Sequence, residues 1–471
     1  MATTSRSSRS AQRSSYRCSE CGWTTAKWVG RCGECQSWGS VAEVGGEPVG
    51  RTVAAPVTSP AVPIGKVPAK EALHYPSGVP ELDRVLGGGL VPGAAVLLAG
   101  EPGVGKSTLL LEVAARTAAR DQRVLYVTGE ESAAQVRLRA DRTDAVHDQL
   151  YLAAETDLGA VLTHVEDVRP RLLVVDSVQT IGASGAEGVP GGVTQVKEVA
   201  AALVRVAKTR GITVVLVGHV TKDGSIAGPR VLEHLVDVVL HFEGESGSRF
   251  RMVRAVKNRF GPVDEVGCFD LGPEGIRAVT DPTGIFVERH HGKVAGTCVA
   301  VTMEGRRPLL AEVQSLVAQT SGERPRRTTS GVDGSRLAMV LAVLQQHCGI
   351  ALSQRDVFAS TVGGAKVTEP AADLALAISL ASSHFLNPTP RGVVAMGEIG
   401  LSGELRRVRD VQQRLSEAAR LGFELAVVPA EVGSSSRQRT IDGMRVLEVP
   451  DVGSALRRLE LHRSFKLIEG G

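Results

Sequence analysis

A chain of 471 residues, 43% of them hydrophobic, carries enough apolar material for about two to four cored domains. Its net charge of +3 does not by itself signal a polyanion partner, because only clustered charge builds a field that matters. No apolar run approaches the roughly 20 residues of a membrane helix, and the N-terminus lacks the apolar core of a secretory signal, so the expectation is a cytoplasmic protein without membrane contact.

The first 17 residues are rich in Ser and Arg and free of acid, which reads as a basic tail rather than an organelle transit peptide of similar composition. Cys18-x-x-Cys21 and Cys32-x-x-Cys35 follow. Two such turns supply four thiolates at tetrahedral geometry, so Cys18, Cys21, Cys32 and Cys35 are the predicted zinc ligands, and a reducing compartment argues against the alternative of two disulfides. All three tryptophans, Trp23, Trp28 and Trp38, lie in or beside this module, together with Arg13, Arg17, Lys27 and Arg31. They either cover the metal site or stack on nucleic-acid bases. Residues 1–40 are thus expected to be a tail and finger, and the Gly-, Pro-, Val- and Ala-rich residues 41–70 a flexible linker.

Residues 77–89 end in Gly87-Gly88-Gly89, which mark tight turns before an apolar run at 94–99. That run leads into Gly100-Glu101-Pro102-Gly103-Val104-Gly105-Lys106-Ser107-Thr108, and a helix-like run starts at Leu109. Strand, G-x-x-x-x-G-K-[ST] and helix in that order make a P-loop. Its backbone N–H groups cradle phosphate oxygens, Lys106 reaches the β- and γ-phosphates, and the Ser107 hydroxyl holds Mg²⁺. The predicted ligand is a nucleoside triphosphate.

Beyond it, β-branched runs at 123–128, 171–176 and 212–217 alternate with helical stretches, the pattern of an α/β fold with a mainly parallel sheet. Runs at 236–242 and 250–256 predict an antiparallel extension at one edge. Ligands collect at the carboxyl ends of such strands. There Asp176 closes an apolar strand in the manner of a Walker B segment and is expected to organise Mg²⁺; Glu130 and Glu131 offer a base for the attacking water, with Glu130 preferred. His219 is a candidate γ-phosphate sensor, and the Gly-rich stretches 182–192 and 223–228, the second flanked by Lys222 and Arg230, are candidate moving loops.

The pentapeptide Lys257-Asn258-Arg259-Phe260-Gly261, with the Cys₄ finger and this P-loop, resembles the bacterial RadA (Sms) DNA-repair ATPases over essentially the whole chain. The resemblance implies a RecA-like core at 71–280, hexameric rings, and DNA-dependent hydrolysis of ATP that promotes branch migration with RecA recombinase on single-stranded and branched DNA. It implies that residues 100–107 are the Walker A segment, that Asp176 is the Walker B carboxylate, and that Glu130 is the catalytic one. Lys257 and Arg259 are implied to reach a neighbouring subunit's nucleotide, where a cation supplied in trans stabilises phosphoryl-transfer charge. Residues 182–192 and 222–230 are implied to be DNA loops, with Lys222 and Arg230 neutralising phosphates. Neither loop holds an aromatic residue, so backbone tracking is expected rather than base stacking.

Residues 281–471 read as a second α/β domain, with a Pro/Arg/Ser/Gly-rich interruption at 320–335, helix-like runs at 336–347 and 371–384, and strand-like pieces at 392–396 and 425–428. This region resembles the Lon protease domain, which raises an ATP-driven protease as a rival function. That family uses a Ser nucleophile activated by a Lys. Ala371 stands at the Ser position and Gln412 at the Lys position, so the Lon-like domain is read as lacking the dyad and serving as a scaffold. Arg406, Arg407, Arg409 and Arg414, with Arg437 and Arg439, are a candidate second DNA surface, while Cys268, Cys298 and Cys348 are expected to pack as small apolar residues.

Overall fold

The structure, a computed structural model, describes residues 15–44, 61–66, 73–219, 231–244, 248–287, 294–320, 322, 324–430 and 437–461. It divides into two units, Met1–Pro68 and Ala69–Gly471.

The first unit is a ribbon of three strands, β1 (Ser15–Cys18), β2 (Thr24–Thr25) and β3 (Val41–Val44), in the order β2-β1-β3. Its core is Cys18, Cys32 and Val41, with Tyr16, Trp23 and Val29 packed around them. So small a cluster supplies little burial, and the four thiolates are what the ribbon is wrapped around. Residues 41–44, which composition assigns to the linker, pair with β1 throughout.

The second unit opens with α1 (Pro80–Leu86), a helix that the sequence reading does not predict, ahead of the glycine turns that it does. Pro80 sits in its first turn and Gly87, at φ 82°, closes it, so both ends are specified by the residues that favour them. Then β4 (Ala95–Gly100), α2 (Lys106–Ala118), β5 (Val124–Thr128), α3 (Ala133–Arg142), β6 (Leu150–Ala154), α4 (Leu158–Val168), β7 (Leu172–Asp176), α5 (Val193–Arg210) and β8 (Thr213–His219) alternate. They are followed by β9 (Val238–Gly244), β10 (Phe250–Asn258), β11 (Val266–Gly272), β12 (Gly275–Ala278) and the short α6 (Thr283–Phe286). The sheet order is β12-β11-β10-β9-β4-β8-β7-β5-β6. Strands β9, β4, β8, β7, β5 and β6 are parallel, and β10, β11 and β12 add antiparallel ladders at one edge. β4, β5 and β7 are buried along their whole length, as strands covered on both faces must be. Val96 and Leu98 pack with α1, α2 and α3 on one face; Ala95 and Leu97 pack with α4 and α5 on the other. The α/β character and antiparallel edge follow the sequence reading, while β6, β11 and β12 are additional.

A second sheet is built from β13 (Thr297–Glu304), β14 (Arg307–Gln319), β15 (Arg327–Ser330), α7 (Gly334–Cys348), β16 (Arg355–Thr361), α8 (Asp373–Phe385), β17 (Val393–Ala395), β18 (Glu398–Ile399), β19 (Leu405–Arg406), α9 (Val411–Arg420), β20 (Leu425–Pro429), β21 (Arg437–Ile441), β22 (Met444–Val449) and α10 (Val452–Arg458). Its order is β15-β16-β14-β13-β17-β20-β22-β21, with β18 and β19 as a separate pair. α7, α8 and α10 cover one face and α9 the other. β15 lies within the stretch read as an interruption; its Thr-rich backbone is recruited by a parallel ladder to β16 rather than by any apolar pattern of its own. Cys268, Cys298 and Cys348 are all buried, as expected.

The two sheets meet through charge as well as apolar contact. Arg307, at the start of β14, is buried against Glu81 of α1 and donates to the carbonyls of Val266, Val279 and Thr280. Beside it Phe250, Cys268, Phe286 and Leu309 form a small shared cluster.

Candidate nucleotide site and metal centre

Strand β4 delivers Gly100 to the edge of the P-loop, and a Cβ there would lie 2.5 Å from the Phe242 carbonyl oxygen, so the close approach of β4 to β9 requires glycine. The loop ends in α2, whose first-turn N–H groups are the unpaired donors that a helix start leaves free for an anion. Lys106 is 3% exposed, and its ammonium donates to the Gly100 and Glu101 carbonyls, each at 2.9 Å. Burial pushes its pKa below the ordinary lysine value, opposed by the nearby carboxylates of Asp176 and Glu130.

Those carboxylates come from the ends of β7 and β5. Asp176 is 7% exposed and accepts a hydrogen bond from the Tyr126 hydroxyl at 2.7 Å. Tyr126, fully inside the sheet, was not singled out from sequence; burial, with Asp176 beside it, pushes its phenol well above the usual range. Gly129 follows β5, and a Cβ on it would lie 2.0 Å from Thr180 Oγ1, so glycine lets the β5 turn close over the β7 turn. The two candidate bases then part. Glu131 pairs with Arg139 of α3, while Glu130 Oε1 accepts from the buried Ser177 hydroxyl at 2.6 Å and lies 3.0 Å from His219 Nε2. Glu130 remains 43% exposed toward the loop side of the sheet.

His219 Nδ1 and Gln179 Oε1 are buried without a hydrogen-bond partner among the described residues. A buried polar atom without a partner costs free energy. The stretch 182–192 is laced by Gln195, whose side-chain oxygen accepts from the Ala183 N–H and whose amide donates to the Ala183, Ala186 and Gly188 carbonyls. Gln195 was invisible in the sequence because it reads as one more polar residue in α5. Lys222 and Arg230 lie outside the described residues.

The structure does not bring Lys257 and Arg259 to the P-loop of this chain. Gly100 is level with Phe242 on β9, whereas Lys257 pairs with Val239 and Asn258 with Val238, about 10–13 Å down the strand. Lys257 Nζ donates to the Glu233 and Val236 carbonyls at 2.6 and 2.8 Å, and Arg259 pairs at 3.3 Å with Asp237, a buried carboxylate that also binds Lys208 and the Ala95 N–H. The basic residue of β10 that does reach the loop is Arg251, donating to the Val104 carbonyl at 3.0 Å. Three basic residues spaced three apart along β10, Arg251, Arg254 and Lys257, hide that distinction from sequence reading. A cleft of about 670 Å³ lies beside Gly100, Glu101 and Val104 and is closed by Thr302, Glu304 and Lys366 of the second sheet; Lys106, Ser107, Asp176 and Glu130 do not line it.

Ala371, in the turn that leads into α8, is 1% exposed, and Gln412 lies in α9. Arg414, counted from sequence as part of a basic surface, is corrected: it is fully buried, paired with Glu369 and bonded to the Val301 carbonyl. Arg406 and Arg439 are likewise paired with acids, Glu404 and Glu448.

In the ribbon the four cysteine sulfurs lie within 4.8 Å of one another, with Cys18 to Cys35 at 3.7 Å and Cys21 to Cys32 at 3.5 Å. A tetrahedral Zn²⁺ with Zn–S bonds of about 2.3 Å sets sulfurs about 3.8 Å apart, so the donor set fits that ion in type and size.

Comparison with known proteins adds to this geometry. Residues 62–225 match the family described as AAA domain, and residues 16–43 the family described as rubredoxin metal binding domain. The chain is 53% identical over 458 residues to the DNA repair protein RadA of Mycolicibacterium smegmatis, an alignment covering 95% of this chain and 97% of that protein. It is 53% identical to the protein of that name from Mycobacterium tuberculosis over 94% of this chain and 92% of the relative. Against the one from Halalkalibacterium halodurans it is 44% identical, over 93% and 98%.

Proposed function

The chain belongs to the family of the DNA repair protein RadA, and from that membership we propose a DNA-dependent ATPase that drives branch migration of recombination intermediates together with RecA recombinase. The observation that carries this reading is the Glu130 carboxylate, held by Ser177 and His219 beside a P-loop lysine and a buried strand-end aspartate. A site that only holds a nucleotide has no need of a second carboxylate positioned there.

ATP lies along residues 100–108, its phosphate oxygens taking over Lys106 Nζ from the two carbonyls it now binds. Ser107 and Asp176 would hold Mg²⁺, which would supply neutralisation of phosphate charge. Glu130 accepts the proton of the attacking water. Because His219 contacts Glu130 and immediately precedes the stretch with Lys222 and Arg230, loss of the γ-phosphate is passed to a segment that grips single-stranded or branched DNA by its phosphates. Lys257 and Arg259 act in trans within a hexameric ring, a role supported by their distance from the P-loop of their own protomer.

In this reading residues 1–44 form the tail and zinc finger, β3 included, 45–70 the linker, and 71–280 the RecA-like motor. Residues 281–471 are a Lon-like scaffold whose Ala371 and Gln412 leave it without protease chemistry. With DNA as its load and ATP as its fuel, the protein works in the cytoplasm.

The test is extension of heteroduplex in a labelled three-strand exchange intermediate formed by RecA. Added protein accelerates extension with ATP, and Lys106→Ala does not. Equal rates with and without the protein would refute branch migration.

A further inference from the structure

Of the three ribbon tryptophans only one packs inward. Trp23 borders the Cys18–Cys32–Val41 core, and its ring lies so close to Gly33 that a Cβ there would sit 2.9 Å from Trp23 Cζ2. Trp28 and Trp38 are 65% and 77% exposed. They flank Gly30, where a Cβ would meet Trp28 Cη2 at 3.6 Å and Trp38 Cζ3 at 4.0 Å, so the two indoles share one face with a bare backbone between them. That face is held in place: Arg31 and Trp38 form an antiparallel bridge, and the Gly39 N–H donates to the Gly30 carbonyl at 2.9 Å. The Arg31 guanidinium lies 5.7 Å from the Trp38 ring centroid and is tied to the Gln36 carbonyl and side chain.

Two exposed indoles in fixed positions represent apolar area left in water, which points to an occupant. From this face we infer a stacking platform for the bases of single-stranded DNA, a second DNA contact outside the motor core; the inference rests on DNA being the load proposed above. Three observations favour bases over a peptide. The ribbon's own charges cancel, Arg17, Lys27 and Arg31 against Glu20, Glu34 and Glu43, so what the face offers is ring surface with one guanidinium beside it. In sequence the ribbon is preceded by Arg6, Arg9 and Arg13 with no acid, and such cations suit phosphates as exposed rings suit bases. Among the described residues the one other large exposed aromatic is Tyr151, and stretch 182–192 has none, so stacking capacity is concentrated in the ribbon. Stacking on a π-face tolerates any base, which matches a protein that must act on any sequence.

The chain provides its own probe, because Trp23, Trp28 and Trp38 are its only tryptophans and intrinsic emission reports on the ribbon alone. The full-length, zinc-loaded protein is titrated with a dT oligonucleotide while tryptophan emission and the anisotropy of a labelled strand are followed in parallel. Expected are quenching by dT, no quenching by an abasic strand of equal length, and about tenfold weaker binding in the Trp28→Ala/Trp38→Ala variant. The Trp28→Phe/Trp38→Phe variant keeps ring faces and should recover much of that loss; zinc content and DNA-free ATP hydrolysis stay unchanged in both. Unquenched emission at strand concentrations that saturate the anisotropy overturns the platform while leaving the motor reading intact, and assigns the indoles to a protein partner. Equal quenching by the abasic strand also overturns it. A wild-type protein that binds no strand in either readout overturns both readings.

Discussion

At the scale of residues, Glu130 and Glu131 are neighbours with different occupations. Glu131 is spent on Arg139, whereas Glu130 faces the loop side held by Ser177 and His219. Glu130→Gln is therefore expected to lower the rate of ATP hydrolysis by about 100-fold or more while nucleotide still binds, and Glu131→Gln to leave the rate within a few-fold. Steady-state phosphate release and binding of a fluorescent ATP analogue check both; equal losses in the two variants would remove Glu130 from its role. Sequence reading reached this pair but could only prefer one member, because the deciding partner, Arg139, sits eight residues on in α3. It reached Arg414 too and misjudged it. A cluster of arginines reads as a solvated face, and nothing local announces that Arg414 is buried against Glu369, 45 residues upstream. Local pattern carries the chemistry of a residue; its partner belongs to the fold.

At the scale of elements, the parallel strands β5, β7 and β8 stand out in the sequence because strands buried on both faces are continuous β-branched runs. The P-loop was legible for the same reason, a motif set between a strand and a helix. β6 and β15 were not: β6 is an edge strand with an irregular burial pattern, and β15 is polar. Both exist because a neighbour offers a ladder. The ribbon is the extreme case of structure set by something other than an apolar core. Removing zinc with a strong chelator is expected to unfold residues 15–44, red-shifting tryptophan emission, and Cys32→Ser to reduce bound zinc in the same way. Metal content and emission maximum measure this, and a chelated protein with unchanged emission would contradict a zinc-dependent ribbon. The buried thiols of Cys268 and Cys348, which burial pushes up to about 12 and about 11, should resist alkylation through the same treatment.

At the scale of the whole molecule, the large unit is held together where Arg307 of the second sheet enters the first and meets Glu81. Removing one member leaves a buried charge unpaired, so Glu81→Ala should cost about 3–5 kcal/mol in urea unfolding of this unit, and Glu81→Leu/Arg307→Met should restore most of it. A single variant as stable as wild type would show that the two sheets are joined by apolar contact alone. Beside this joint the P-loop edge borders Glu304 and Lys366 across the shared cleft, and Glu304 pairs with Arg254 of β10 at 2.7 Å. The joint could not be read from sequence, since Glu81 and Arg307 lie 226 residues apart.

The central claim is that hydrolysis at this P-loop is coupled to DNA. Its most direct test is the steady-state rate of ATP hydrolysis by the full chain with and without single-stranded DNA, alongside Lys106→Ala and Lys257→Ala. The account predicts a clear rise on adding DNA and loss of that rise in both variants, from the P-loop in one and from the neighbouring subunit's face in the other. A wild-type rate unchanged by DNA would contradict it.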